Sequence, residues 1–152
     1  MKKLVLLAML FGLSITLNAQ AKPNQIAKFQ ASYNNLKALV KTQQYQFVAE
    51  WVFKNKKREQ LNSESNIIKI NKSNISGHLG ILNSEKKTID ANSTIENYKV
   101  SFKDNEQQVL IKFNIGKDEY NIDVNANGNT FLTASSSNSN TISWKGKLKK
   151  LK

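Results

Sequence analysis

A mainly β fold, closed as an antiparallel barrel or a two-layer sandwich of about eight strands with one N-terminal amphipathic helix, is what this sequence predicts. Three observations carry the prediction. Between Ile95 and Leu148 apolar residues recur at every second position in short runs, each ended by Gly, Asn, Asp or Ser. A period of two bounded by turn residues marks half-buried antiparallel strands joined by hairpins. Tyr45 to Lys54 alternates too, with Tyr45, Phe47, Ala49, Trp51 and Phe53 on one face and Val48 and Val52 on the other, which predicts a central strand. Ile26, Phe29, Tyr33, Leu36 and Val40 fall at the intervals of one helical stripe.

In chain order, residues 1–21 form an expected signal peptide: Lys2 and Lys3 are the charged start, Leu4 to Leu17 the apolar core, and Ala19-Gln20-Ala21 the small residues of a cleavage site. Cleavage fits after Ala21 or after Ala19. The apolar core is too short to span a bilayer comfortably, and no later run is apolar enough to do so. Residues 22–152 then make a single β-rich domain. A helix over Gln25 to Thr42 is predicted to lie on a sheet or plug a barrel end. After the strand Tyr45–Lys54, the basic run Lys54, Lys56, Lys57 and Arg58 enters a loop. Asn66–Asn71 and Asn74–Leu82 pair about a turn at Lys72-Ser73, and Asn83–Asn92 is a polar connection. The meander then runs through Tyr98–Phe102, Val109–Ile115, Tyr120–Val124, a run at Phe131–Ser135 whose inner face is either Phe131/Thr133/Ser135 or Leu132/Ala134, and Ile142–Leu148. Lys145, Lys147, Lys149, Lys150 and Lys152 end the chain as a basic tail.

Charge and composition bound the chemistry. The net charge is +12 from 23 basic and 11 acidic residues, falling to about +10 once a leader carrying Lys2 and Lys3 is removed. That balance serves colloidal solubility or an anionic partner. Arg58 is the only arginine, which together with export argues against nucleic acid. Without cysteine there is no disulfide, thiolate site or lipid-bearing cysteine. His78 is the only histidine, so a multi-histidine metal site is excluded and the residue is read as a strand histidine facing solvent. Asp123-Val124-Asn125-Ala126-Asn127-Gly128 imitates the first half of a calcium loop, but Ala134 stands where the bidentate Glu is required, and Asn127-Gly128 between alternating runs is the mark of a hairpin. Glu50, on an aromatic strand, is the one carboxylate whose burial would matter, with the outward-facing placement favoured. Strand aromatics are core first and pocket lining second; Tyr45, Phe47, Trp51, Tyr98, Phe113 and Trp144 are the candidate ligand contacts.

Several stretches, "YQFVAEW", the paired strands "NIIKI" and "NISGHLGIL", "IENYKVSF" and above all "NANGNTFLTASSSNSNTISWKG", follow a lysine-bearing N-terminal helix. In this the chain resembles a domain-of-unknown-function family of small envelope proteins from Bacteroidota. The resemblance covers nearly all of the expected mature chain and implies a secreted, strand-rich fold with no established activity. Family members carry a Leu-Pro-Tyr-aromatic-Gly-Arg segment where this chain has Gly77-His78-Leu79-Gly80-Ile81.

The sequence therefore points to a periplasmic or secreted, non-catalytic protein without metal or cofactor. Its expected partner is a lipid, a glycan or another apolar or anionic envelope ligand. The alternative is a structural module that docks on another envelope protein through a sheet edge or the N-terminal helix. Oligomeric state is open.

Overall fold

The computed structural model describes residues 21–136 and 139–151. The expected leader lies outside the described residues but for Ala21. One helix, α1 (Ala21–Lys41), precedes ten strands: β1 (Gln44–Lys54), β2 (Lys57–Gln60), β3 (Ile67–Asn71), β4 (Asn74–Gly80), β5 (Lys86–Thr94), β6 (Glu96–Lys103), β7 (Gln108–Ile115), β8 (Asp118–Asn125), β9 (Thr130–Ser136) and β10 (Ser139–Lys150). They form one antiparallel sheet in the order β5-β4-β3-β1-β10-β9-β8-β7-β6, with β2 paired to the far half of β1. The edge strands β5 and β6 are consecutive in the chain, separated by Ile95 alone. The sheet therefore curls until its edges approach, giving a half-barrel rather than two layers.

β1 is central, as its two apolar faces require, and pairs β3 on one side and β10 on the other. Its alternation breaks midway. The register with β10 shifts between Ala49 and Trp51, so Val52 is buried while Trp51 and Phe53 turn to the outer face. The single inward face expected for Tyr45 through Phe53 thus ends at Ala49, because a bulge inserts one residue and inverts the alternation. Gly146 lies opposite Ala49, where a Cβ would stand 2.0 Å from the Val48 carbonyl oxygen. Only glycine permits this approach.

Inside the curl, lateral rows of side chains stack as the pleat dictates. Val52, Trp144, Leu132, Ile122, Ile111 and Val100 are cross-strand neighbours in one row; Phe102, Val109, Val124, Thr130, Gly146 and Ala49 make the next. Leu132 and Ala134, rather than Phe131, are the inward residues of β9. Helix α1 covers one end of the half-barrel. Tyr33 and Val40 are fully buried, Phe29, Leu36 and Leu39 pack beside them, and Ile26 stays 43% exposed.

Three expectations change. Asn83–Asn92 is no loop: after a short 3₁₀ turn it becomes edge strand β5, whose Ile89 is buried. A polar strand at a sheet edge has one solvated side, so it lacks the apolar alternation that marks strands. Lys57 and Arg58 belong to strand β2. The basic C-terminal run continues strand β10 as far as Lys150 instead of trailing off, because Gly146 and Leu148 between the lysines face inward.

Candidate ligand-binding face

The six aromatic candidates divide between core and surface. Tyr45, Phe47, Phe113 and Trp144 are at most 1% exposed, whereas Trp51 and Tyr98 are only half-buried. Of the core members, Tyr45 and Trp144 hold polar atoms that must be paired. The Tyr45 and Tyr98 hydroxyls lie 2.9 Å apart across the curl. Tyr98 stacks on Phe113 at 6.4 Å, and Phe113 on Tyr120 at 5.4 Å. Trp144 Nε1 donates to the Gly80 carbonyl at 2.7 Å. Burial, then the neighbouring Tyr98, raises the Tyr45 pKa far above the ordinary phenol value, and burial raises that of Tyr98. These hydroxyls stay protonated and act as structural ties.

Lys87 of β5 reaches Asp118 at the start of β8 at 2.5 Å and sits 5.6 Å over the Tyr120 ring. The hydrogen bond from Lys87 holds the Asp118 carboxyl below its ordinary pKa. For Lys87, burial pulls downward, but bonding to Asp118 and the adjacent Tyr120 outweigh it and the net shift is upward. At the helix end, Asp104 accepts from Tyr33 at 2.9 Å and from Lys37 at 2.7 Å. Burial and then the bond to Asp104 push the Tyr33 hydroxyl up to about 12. Both ion pairs pin elements to the barrel, and the Asp118 carboxyl also takes a hydrogen bond from Ser136.

A groove opens on the outer side of β6–β9. Its volume is about 680 Å³, and it is lined by Lys99, Ser101, Leu110, Lys112, Asn121, Asp123, Phe131 and Thr133. Register explains the set. Ser101, Leu110, Asp123 and Phe131 form one cross-strand row, and Lys99, Lys112, Asn121 and Thr133 the next. Phe131 is 38% exposed, an aromatic ring on the solvent side of a sheet. The polar groups are held in place. Asp123 accepts from Gln108 at 2.7 Å, Lys112 pairs with Glu119 at 2.9 Å, and Glu119 accepts from Asn121 at 3.0 Å. The bond from Asn121, then that from Lys112, lowers the Glu119 pKa.

Sequence reasoning missed this groove. Its signal was Leu110 and Phe131 at positions that belong to the polar face of the meander. Two smaller grooves flank α1, of about 320 Å³ beside Leu36 and Leu39 and about 400 Å³ beside Ile26 and Phe29. His78 lies on the outer face between Ile67 and Thr88, and Glu50 faces outward, 3.8 Å from Lys147. The Asp123–Gly128 segment is a hairpin: Gly128 N–H donates to the Asn125 carbonyl at 2.9 Å, and Gly128 has φ 88°. Among the described residues no group of three or more His, Asp or Glu converges, and no helix is long and apolar enough to cross a membrane.

The comparisons with known proteins agree with this geometry. The family model for a domain of unknown function, DUF4251, matches residues 27–148, from the helix to the last inward residue of β10. The chain belongs to the DUF4251 family. A DUF4251 family protein from Bacteroides eggerthii DSM 20697, solved by crystallography at 1.95 Å, is similar to this chain with a TM-score of 0.62 and 22% identity, over 79% of this chain and 88% of that one. At that identity the likeness shows the shared fold alone. No curated protein matches the chain.

Proposed function

We propose that this DUF4251 protein is exported and binds a glycan of the cell envelope, without chemical turnover, in the outer groove of β6–β9. The observation that carries the reading is Phe131, exposed at one side of a groove whose lining also includes Leu110, Ser101, Thr133, Asn121, Asp123 and two lysines. An aromatic face receives the C–H face of a sugar ring, while amide, carboxylate, hydroxyl and ammonium groups at fixed positions pair with its hydroxyls. An acyl chain fits less well. It needs enclosure to remove its surface from water, and the interior is occupied by Tyr45, Phe47, Phe113 and Trp144. Catalysis finds no support in the groove, where Asp123 already accepts a hydrogen bond and faces no second acid.

Native mass spectrometry of the mature protein, purified from its own envelope without detergent, tests the reading. We expect a mass excess that fits saccharide units, vanishes on denaturation and is missing from Phe131→Ala. A lipid mass, or an excess that Phe131→Ala retains, would overturn it. A second reading, docking on another envelope protein through α1, draws on the exposed Ile26 above the groove it shares with Phe29; a stable heteromeric mass abolished by Ile26→Ser would favour it.

A further inference from the structure

The outer face beside the groove, on β3, β1 and β10, carries a different chemistry, and Lys145 is the cross-strand neighbour of Phe131 where the two adjoin. Gly146 and Leu148 point inward, so Lys145, Lys147 and Lys149 all project outward, at intervals of about 7 Å along the strand. Lys149 is followed laterally by Gln46 and Lys69, and Lys145 by Trp51. The Arg58 guanidinium of β2 sits 5.6 Å over the Trp51 ring. Five cations thus share one surface, and the carboxylate among them, Glu50, stands 3.8 Å from Lys147 at the limit of an ion pair. Trp51 and Phe53, turned outward by the β1 bulge, are part-exposed in their midst.

We infer that this face docks on a bilayer surface rich in anionic headgroups. A single small anion would be gripped by converging donors. Here the cations are spread over neighbouring strands and point the same way, which suits a surface that presents many charges at once. Each lysine near such a surface contributes a similar electrostatic increment. Part-exposed tryptophan adds an amphipathic ring that seats at headgroup level. Phe131 borders this face through Lys145, but the contact rests on the cations and Trp51 and draws nothing from Phe131 or Leu110, so the two readings are separated by their variants.

The test uses mature protein and vesicles of phosphatidylcholine, with or without about one part in three of phosphatidylglycerol. Co-sedimentation with the anionic vesicles only, weakened by added salt, is the expected result. The triple variant Lys145→Gln/Lys147→Gln/Lys149→Gln is expected to lose about 100-fold in partitioning. Phe131→Ala should bind as wild type does, and Trp51→Ala should retain the salt dependence while binding more weakly. Each side chain is at the surface, and circular dichroism confirms that the variants are folded. Absence of binding, equal binding to neutral vesicles, or indifference to the triple substitution would overturn the inference. Binding to soluble polygalacturonate with no binding to vesicles would also overturn it and give the face to a soluble polyanion.

Discussion

The two halves of the sheet share one curl and one alternation, yet present unlike outer surfaces. On β6–β9 charge is balanced: Lys103 meets Glu106, Lys112 meets Glu119, and Asp123 stands in the row beside the lysines. On β2, β3 and β10, five cations share the outer face with Glu50 of β1. The backbones differ as well. Strands β7, β8 and β9 pair without a register shift, whereas β1 is bulged against β10 and closes on Gly146. In a strand-built protein, net charge of the chain says little about any one surface. Parity sorts the charges and a bulge re-sorts them.

The sharpest way to break the comparison is to place a methyl group in each half. Gly146→Ala puts a Cβ against backbone oxygen, where nothing flexible can yield, and should cost about 3 kcal/mol or more. Gly128→Ala, in the β8–β9 hairpin, meets nothing within 4 Å and is strained only by its positive φ of 88°, so about 1 kcal/mol is expected. Urea unfolding of both variants checks this; equal losses would remove the distinction between the bulged β1–β10 pairing and the regular β8–β9 pairing.

Next in size are the ties that join the halves across the core. Trp144→Phe leaves the buried Gly80 carbonyl without its donor, and Tyr98→Phe leaves the Tyr45 hydroxyl without its partner. Each should lower stability by about 1–3 kcal/mol with little change in far-ultraviolet dichroism. A neutral result for Tyr98→Phe would mean that the closure of β6 over β1 does not depend on the tyrosine pair.

The smallest effect concerns Lys87 and Asp118, which link β5 to β8. The Asp118 carboxyl is depressed in the folded state, so its contribution is fully present above its ordinary pKa of 3.8 and is lost as pH falls through the lower, folded value. Lys87 is raised, so its share is intact below 10.5 and disappears as pH rises through its higher folded value. Thermal melts should therefore show wild type losing more than Asp118→Asn below about pH 4. For a part-exposed pair the difference is expected to be about 1 kcal/mol. Parallel curves would show the pair to be energetically silent.

The strands of the meander, the helix and the centrality of β1 were legible in the sequence because each buries one apolar face, and burial imposes a period. β5 was not, since an edge strand with its outer side in water needs no such period. The groove was legible only as a misfit: Leu110 and Phe131 break the polar face, and no local rule says that two misfits two strands apart fall in one lateral row. Of the six aromatic candidates, Tyr45, Tyr98 and Phe113 do meet, in a packed ladder inside the curl.

The sequence by itself determined the class of fold, the hairpin at Asn127-Gly128 and the absence of thiol chemistry, because these rest on local periodicity, turn geometry and composition. Tertiary structure alone decided the direction of Trp51 and Phe53, the conversion of a basic tail into a lysine-bearing strand, and the pairing of first strand with last. Those depend on register between residues nearly a hundred positions apart, and on a bulge beside the close passage of Val48 past Gly146, which exists only when both strands are in place.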